Sequence, residues 1–299
     1  MNASGILIRK TELYIYEKRK GYEYIFMIIG NKHFDLQNRC YIMGILNVTP
    51  DSFSDGGKFN RLDKALKHAE KMIDEGADII DVGGESTRPG HEKITDEEEI
   101  NRTIPVVEAI KKSFDVPVSI DTYKSSVAEA ALKEKADLIN DIWGFKYDRR
   151  VADLTAQYGA VCCLMHNRDN ADYADFFNDF TEDMKESIAI AKKAGIDENK
   201  IILDPGVGFG KTLDENLKIT NNVDILKKFG YPILLGTSRK SMIGLTLNLP
   251  VEQRLEGTLA TTVIGVMKGC SFVRVHDVKE NKRVIDMTEA ILAERQIYG

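Results

Sequence analysis

Short apolar runs alternate with amphipathic stretches along most of the chain, beginning at residue 42. The first run, IMGILNV, leads directly into the polar segment TPDSFSDGG. The stretch after it, residues 60–76, is apolar on one helical face, which is formed by Leu62, Ala65, Leu66, Ala69, Met72 and Ile73. An apolar run without alternation predicts a strand buried on both faces. The pattern therefore predicts a strand, a polar loop and a helix that ends at Gly76.

The same unit recurs to the end of the chain. Further strands are predicted at 77–82, 117–120, 137–139, 160–165, 201–203, 232–235 and 271–275, and further helices at 96–114, 124–135, 148–158, 179–194, 213–229, 254–268 and 278–295. About eight strand–helix units with short loops are the pattern of an α/β protein with a (β/α)8 (TIM) barrel. No linker interrupts the alternation, so residues 39–299 are predicted to form one barrel domain. The alternative architecture is an open parallel sheet.

Residues 1–38 precede the repeating pattern and form a predicted N-terminal extension. Strands are predicted at 14–16 and 24–29, and a turn at 30–32 leads into a strand at 33–36. The extension is expected to be either a β-hairpin that covers one end of the barrel or a partly ordered leader.

Composition narrows the possible classes of protein. Hydrophobic residues make up 43% of the chain and charged residues 29%, which is typical of a soluble globular protein. No apolar run approaches the roughly 20 residues of a membrane span, and the charged N-terminus is unlike a signal peptide, so we expect a cytoplasmic protein. The net charge of −6 argues against nucleic-acid and membrane partners. The four cysteines lack CxxC spacing, which predicts neither a zinc site nor disulfide bonds.

Polar side chains follow almost every predicted strand: Asn47, Asp81, Asp121, Asn140, His166, Asp204, Ser238-Arg239-Lys240 and Arg274-Val275-His276. In a barrel, the carboxyl ends of all strands meet on one face, where active sites form. A single Asp after a strand is often only a helix N-cap. So many polar groups at one mouth cannot all be caps, because buried polar groups without partners are costly.

The strand ends indicate two kinds of binding. A cationic set predicts a phosphate or diphosphate pocket, and it comprises Arg88, Arg239, Lys240, Arg274 and His276. Asn47 and the oxygens of the first loop are suited to holding a divalent ion beside this pocket. Asp121, Asn140 and Asp204 suit a flat heterocycle with an amino-amide edge. The DPGVGFGKT segment lacks P-loop spacing and is predicted instead to bring Asp204 and Phe209 to the mouth.

Seven motifs carry a resemblance to the bacterial dihydropteroate synthases, in that family's order: MGILNVTPDSFSDGG, DVGGESTRPG, SIDTYK, NDIWGF, DPGVGFGKT, GTSRKSMIG and RVHDV. The resemblance runs from about residue 36 to the C-terminus and implies the same barrel. It implies a transferase of folate biosynthesis that joins 4-aminobenzoate to 6-hydroxymethyl-7,8-dihydropterin diphosphate and releases diphosphate. It further implies Mg2+ as cofactor, these small molecules as partners, and a homodimer.

The resemblance also assigns roles to individual residues. Asp121, Asn140, Asp204 and Lys240 resemble the pterin-binding residues. Asn47, as metal ligand, with Thr87, Arg274 and His276, resembles the diphosphate and magnesium site, beside which we also place Arg88. Phe53, Pro89, Phe209, Lys240 and Ser241 resemble the aminobenzoate pocket. The expected catalytic residues are Asp121, Lys240, Arg274 and His276. One departure is Met165-His166-Asn167-Arg168, which stands where many members carry a Met-Gln-Gly type sequence.

The resemblance implies a dissociative displacement. Magnesium with Arg274 and His276 would stabilise the departing diphosphate, and Asp121 would stabilise the cationic carbon. A pterin barrel that transfers a methyl group to a corrinoid protein would share the Asp/Asn set, but would need neither the anion pocket nor the NVTPDSFSDGG loop. A non-catalytic pterin binder would not need Asp121, Lys240, Arg274 and His276 to be intact.

Overall fold

The computed structural model describes residues 26–49, 58–85 and 93–297, with side chains described outside 58–60 and 295–297. Within these residues, eight parallel strands form one sheet: β3 (Tyr41–Asn47), β4 (Ile79–Gly83), β5 (Val118–Asp121), β6 (Leu138–Asp141), β7 (Val161–Met165), β8 (Ile201–Asp204), β9 (Leu234–Leu235) and β10 (Phe272–Val275). Their order in the sheet is β8-β7-β6-β5-β4-β3-β10-β9. A bridge between Leu203 and Ile233 joins the two ends and closes a barrel. The (β/α)8 prediction is confirmed, and the open-sheet alternative is wrong.

Helices follow the strands and surround the barrel: α1 (Lys58–Asp74), α2 (Asp96–Ser113), α3 (Ser125–Lys133), α4 (Arg150–Tyr158), α5 (Phe176–Ala194), α6 (Leu213–Asn221), α7 (Ser241–Leu247), α8 (Leu255–Met267) and α9 (Val278–Ile297). Short 3-10 helices lie at Glu198–Lys200, Val223–Phe229 and Val251–Gln253. None of the described helices combines the length and apolar character of a membrane span.

Two predictions about the helices were incomplete. The single helix predicted at 213–229 ends at Asn221, and a 3-10 helix continues from Val223. Asn222 interrupts it, because its side chain donates to the carbonyl of Lys218 at 2.8 Å. The seven residues of α7 were not predicted, since a helix of that length shows too little periodicity.

The barrel strands are buried on both faces, as their apolar runs predicted. Outward side chains such as Ile42, Val82 and Ile120 pack beneath the helices in the largest hydrophobic cluster. Inward side chains such as Met43, Ile79 and Leu138 form a second cluster inside the N-terminal end of the barrel. Because side chains alternate along a strand, the next inward positions lie one layer closer to the C-terminal mouth.

A β-hairpin covers the N-terminal end of the barrel. Strands β1 (Phe26–Ile29) and β2 (Lys32–Asp35) pair antiparallel across a turn in which Gly30 has φ of +62°. Phe34 is buried against the ring of Tyr41, with the two ring centroids 4.8 Å apart, and belongs to the inner cluster. The structure thus contains a hairpin where one was expected. The strand predicted at 14–16 lies outside the described residues, and the domain boundary at residue 38 stays a prediction.

Candidate functional site

Polar residues replace apolar ones on the inner face of the barrel near its C-terminal mouth. Asp121 pairs in register with Asn140 across β5 and β6, and both stand two positions beyond the inward residues Ser119 and Leu138. The mouth layer consists of Asn47, Asp81, Asp121, Asn140, Asp204 and Arg274. A low-dielectric floor therefore lies beneath a ring of charged and amide side chains.

Arg274 binds two carboxylates of this ring. Its Nε donates to Asp81 Oδ2 at 2.6 Å, and its Nη2 donates to Asp121 Oδ2 at 2.6 Å. Asn140 Nδ2 donates to the same Asp81 oxygen at 3.2 Å. Burial alone would lower the pKa of Arg274, but Asp81 and Asp121 raise it overall. Burial raises the pKa of Asp121 to about 7, against the opposing effect of Arg274.

Asp204 and Lys240 lie across the mouth from the Arg274 guanidinium and its two carboxylate partners. Asp204 Oδ1 accepts a hydrogen bond from the backbone N–H of Gly206 at 2.7 Å, and burial raises the pKa of this carboxyl group. Lys240 Nζ donates to the carbonyl of Val207 and lies 4.4 Å from the centroid of the Phe209 ring. Burial lowers the pKa of Lys240 to about 8. Ser241, the first residue of α7, is exposed beside it.

His276 is oriented by Ser238. The backbone N–H of His276 donates to Ser238 Oγ at 3.2 Å, and the same oxygen lies 3.0 Å from His276 Nδ1. Since the hydroxyl oxygen already accepts one N–H, its own hydrogen is available to donate to Nδ1. When the hydroxyl donates to Nδ1, the ring proton lies on Nε2, which is then a donor. Sequence reasoning did not identify the role of Ser238, because hydroxyl groups in turns are common.

Asn47 lies at the end of β3, half-buried, near Asp121. A Cβ built on Gly83 would lie 3.6 Å from Asn47 Oδ1 and 3.6 Å from Asp121 Oδ2, so both oxygens face the space that this glycine leaves open. In the described parts of the chain, no cluster of three His, Cys, Asp or Glu side chains could hold a metal. A single amide oxygen fits Mg2+, which commonly takes its other ligands from water and substrate phosphates.

Two of the polar residues predicted to follow strands, Arg239 and His166, pair with carboxylates outside the mouth layer. Arg239 has φ of +56°, and its Nε donates to Asp277 Oδ2 at 2.9 Å, so a carboxylate already neutralises its charge. His166 is fully buried and pairs with Asp183 of α5 at 2.9 Å instead of entering the mouth. The place predicted for Arg239 in an anion pocket stays a prediction.

An aromatic cluster flanks the mouth. Tyr123, Ile142 and Met165 form its buried centre, and Trp143 and Phe209 pack against them. Phe209 is brought to this cluster by the turn after β8, as predicted.

A buried ion network lies behind the cluster and was not predicted. Lys124 Nζ contacts Glu85 Oε2 at 2.6 Å and Glu99 Oε2 at 2.8 Å, and Tyr123 Oη donates to Glu85 Oε1 at 2.5 Å. Glu85 also accepts from the backbone N–H of Ile94 at 3.1 Å. The network ties residue 85 to residue 94, and its members are far apart in sequence, so spacing alone could not reveal it.

Four predicted site residues lie outside the described residues: Phe53, Thr87, Arg88 and Pro89. Their assignments to the substrate pockets remain predictions. Asp121, Asn140, Asp204, Phe209, Lys240 and Arg274 are brought to one mouth, with Asn47, Ser241 and His276 at its edge.

Comparisons with known proteins agree with one another. The family model described as "Pterin binding enzyme" matches residues 43–276. A dihydropteroate synthase of Clostridium beijerinckii is 63% identical over 267 residues, which are 89% of this chain and 99% of that protein. A solved dihydropteroate synthase from Clostridium difficile, crystallised in the presence of pteroic acid, is 53% identical with a TM-score of 0.84, over 86% of this chain and 98% of that one. A solved dihydropteroate synthase from Xanthomonas albilineans with 4-aminobenzoic acid is 36% identical with a TM-score of 0.85, over 90% of this chain and 98% of that one.

Proposed function

Because this chain belongs to the pterin-binding enzymes and, among them, to the dihydropteroate synthases, we propose that it condenses 4-aminobenzoate with 6-hydroxymethyl-7,8-dihydropterin diphosphate. The products are 7,8-dihydropteroate and diphosphate, and the enzyme is a transferase of folate biosynthesis. The observation that supports this reaction most strongly is the convergence of Asp121, Asn140, Asp204 and Arg274 at one mouth. Asp121, Asn140 and Asp204 supply hydrogen-bonding groups for the pterin heterocycle, and Arg274 supplies a cation for the diphosphate.

The pterin ring presents ring N–H and amino donors beside a carbonyl acceptor. Asp204 is a carboxylate acceptor for the donors, and the Asn140 amide supplies both a donor and an acceptor. Lys240 can donate to a ring acceptor from the same side of the mouth as Asp204. Tyr123, Ile142 and Met165 give the planar ring an apolar surface to contact. The Clostridium difficile relative, crystallised in the presence of pteroic acid, supports a pterin as the ligand of this mouth.

In the chemical step, the amine nitrogen of aminobenzoate forms a bond to the methylene carbon. The bond from that carbon to the diphosphate oxygen breaks, its electron pair leaves with diphosphate, and the amine then loses a proton. Arg274 and the Nε2–H of His276 stabilise the charge that develops on the leaving group. Asp121 stabilises positive charge at the methylene carbon, since its carboxylate is fixed by Arg274 at 2.6 Å.

Aminobenzoate is expected on the side of the mouth formed by Phe209 and Ser241. The Phe209 ring offers an apolar face, and the exposed Ser241 hydroxyl is a donor for the carboxylate. Phe53, Thr87, Arg88 and Pro89, which lie outside the described residues, complete this part of the proposal by resemblance. The Xanthomonas albilineans relative, solved with 4-aminobenzoic acid, supports the identity of this substrate.

Mg2+ is the proposed cofactor. Asn47 Oδ1 would be its protein ligand, and the diphosphate oxygens and water would supply the others. When bound, the ion lowers the repulsion among the charges of the diphosphate. The protein's own part is to hold the Asn47 amide beside Asp121, across the space left by Gly83.

A homodimer in the cytoplasm is the proposed state of the protein. Exposed apolar side chains on α8 and α9 support a second copy as partner, and they are Ile264, Met267, Met287 and Ile291. The four cysteines are buried and unpaired, which suits a reducing compartment. A monomer in sedimentation at micromolar concentration would contradict the dimer.

The reaction is tested by measuring diphosphate release from the pterin diphosphate, with and without 4-aminobenzoate and Mg2+. The wild type should release diphosphate only with Mg2+ and should form dihydropteroate when aminobenzoate is present. Asp121→Asn should lose at least about 100-fold in kcat, as expected for an electrostatic group at the reacting centre. Asp224→Asn is the matched control, because Asp224 pairs with Lys268 on the outer surface at 3.3 Å.

Pterin binding without diphosphate release would contradict the synthase. Methyl transfer from a methylated folate to a corrinoid protein would then identify the rival transferase, and its absence would identify a non-catalytic binder.

A further inference from the structure

The segment between β8 and α6, residues 205–210, lies directly against the chain that follows β7. We call it the 205–210 loop. Gly206 has φ of +67°, and a Cβ at this position would lie 1.8 Å from the carbonyl oxygen of His166. A Cβ at Gly210, which has φ of +53°, would lie 2.5 Å from the carbonyl oxygen of Arg168. The two glycines thus allow the loop to contact the backbone of residues 166–168 at two points.

Lys211, the residue after this loop, folds its side chain back over it. Its Nζ lies 2.8 Å from His166 Nδ1, and it donates to the carbonyls of Gly206 at 2.9 Å and Phe209 at 3.0 Å. Burial lowers the pKa of Lys211 to about 7. In its protonated form the ammonium group has three donors and no acceptor, so these partners use its full capacity. One side chain therefore joins the beginning and the end of the 205–210 loop to the end of β7.

His166 is held in the orientation that Lys211 requires. Its Nε2 lies 2.9 Å from Asp183 Oδ2, and a carboxylate accepts, so Nε2 carries the ring proton and Nδ1 is an acceptor. The ring is fully buried, and burial lowers the pKa of His166 to about 3, which agrees with a neutral imidazole. Arg168 Nε donates to the same Asp183 oxygen at 2.6 Å. A chain of contacts thus runs from Asp183 of α5 through His166 to Lys211.

The 205–210 loop in turn carries groups of the mouth. Phe209 belongs to it, and the Phe209 ring centroid lies 4.4 Å from Lys240 Nζ. The backbone N–H of Gly206 donates to Asp204 Oδ1 at 2.7 Å. A displacement of this loop would therefore move the Phe209 ring away from Lys240 and remove a hydrogen bond from Asp204.

We propose that Lys211 is a positioning residue that acts through His166 to fix the 205–210 loop, so that Phe209 forms the face on which aminobenzoate lies. Lys211 donates to backbone carbonyls and to a buried imidazole, and it acts on the substrate only through Phe209 and Asp204. The inference rests on the proposed reaction and adds to it a residue outside the family-derived set of pocket residues. It also gives a role to His166 in the segment that departs from the Met-Gln-Gly pattern.

The test compares Lys211→Met with a matched control, Lys218→Met. Methionine keeps the length of the lysine side chain and removes its donors. Lys218 lies on α6, the helix that follows Lys211, and its exposed Nζ contacts Asp214 at 2.7 Å. Steady-state kinetics with each substrate varied in turn should give Lys211→Met a KM for aminobenzoate raised about tenfold or more, as for loss of hydrogen bonds from a charged group. The kcat should change less than about threefold, and both kinetic constants of Lys218→Met should stay within about twofold of wild type.

A second pair of variants examines the path through His166. His166→Gln retains a side-chain acceptor for Lys211, whereas His166→Leu removes it. His166→Leu should reproduce most of the rise in KM for aminobenzoate, and His166→Gln should retain a KM closer to that of wild type. The double variant Lys211→Met/His166→Leu should be no worse than the worse single variant, because both changes break one path.

The single tryptophan gives a readout that needs no turnover. Trp143 packs in the same cluster as Phe209, so its emission should differ between wild type and Lys211→Met but not between wild type and Lys218→Met. Aminobenzoate KM within about twofold of wild type in folded Lys211→Met would overturn the inference, as would equal loss of kcat in all variants. A wild type without synthase activity would overturn the proposed reaction instead. In that case, unchanged Trp143 emission in Lys211→Met would also overturn the role of Lys211.

Discussion

Arg274 donates through Nε to a carboxylate oxygen of Asp81 at 2.6 Å, and the Asp81 side chain is completely buried. Asp81 thus has no access to solvent and holds the guanidinium by one edge. The second edge of the same guanidinium reaches Asp121, so the carboxylate expected to act on substrate is held through the buried one. Asp81 was predicted as a polar strand end, but its partner was not.

Loss of the guanidinium should destabilise the barrel. Arg274→Gln leaves Asp81 as a buried carboxylate without its ion pair, which typically costs about 3–5 kcal/mol. Urea unfolding should show this loss, and the double variant Asp81→Asn/Arg274→Gln should recover part of it, because the completely buried carboxylate is then gone and only Asp121 is left without the guanidinium. A double variant as unstable as Arg274→Gln alone would show that Asp81 is not the source of the penalty.

The pH dependence of kcat/KM for the pterin diphosphate should be bell-shaped. Burial raises the pKa of Asp121 to about 7 and lowers the pKa of Lys240 to about 8. Activity should therefore rise as Asp121 loses its proton and fall as Lys240 loses its own. In Lys240→Arg the guanidinium stays charged, so the alkaline limb should disappear from this range. Ionisation of the substrate is common to both enzymes, and an unchanged alkaline limb in Lys240→Arg would exclude Lys240 as its source.

Gly206 should tolerate no side chain. Gly206→Ala would place a Cβ 1.8 Å from a backbone oxygen, whereas Gly230→Ala, at φ of +78°, has nothing within 4 Å. Both substitutions strain the backbone, which costs about 1–2 kcal/mol, so their difference isolates the contact with His166. We expect Gly206→Ala to unfold several degrees lower than Gly230→Ala and to raise the KM for aminobenzoate. Equal melting temperatures would mean that the close approach is relieved at little cost.

His166 should contribute a pH-dependent part of stability. Burial lowers the pKa of His166 to about 3, below its ordinary value of 6.5, so between these values the unfolded chain binds more protons. The free energy of unfolding that His166 contributes is fully present above pH 6.5. It falls by about 1 kcal/mol for each pH unit below that value. Other groups titrate in the same range, so the comparison is with His166→Gln in urea unfolding between pH 5 and 7. The variant should show the smaller loss of stability on acidification, and parallel curves would contradict the assignment.

The strands and most helices were predictable because buried parallel strands and amphipathic helices have different apolar periods. The break at Asn222 was not predictable in this way, since Val223 and Leu226 continue the apolar pattern into the 3-10 helix. Likewise α7 is too short to show a period.

The site was predictable as a set of positions and less so as a set of contacts. Alternation along each strand places Asp121, Asn140 and Arg274 inside the barrel, and the structure has them there. The direction of a side chain just beyond a strand is instead determined by the local turn. Arg239, at φ of +56°, pairs with Asp277, and His166 turns outward to Asp183. Such directions depend on loop backbone angles and distant partners, which the local sequence does not encode.

The barrel is joined least strongly where β8 meets the β9 segment. One bridge, between Leu203 and Ile233, connects them, whereas β7 and β8 share four register pairs. Asp204 is the last residue of β8, and Lys240 follows β9 in the chain. A heterocycle bound by both would act as a cross-link over the seam, and its binding energy would be shared with the closure of the sheet. With the proposed binding by Asp204 and Lys240, substrate recognition and mechanical cohesion of the barrel would be coupled at this seam.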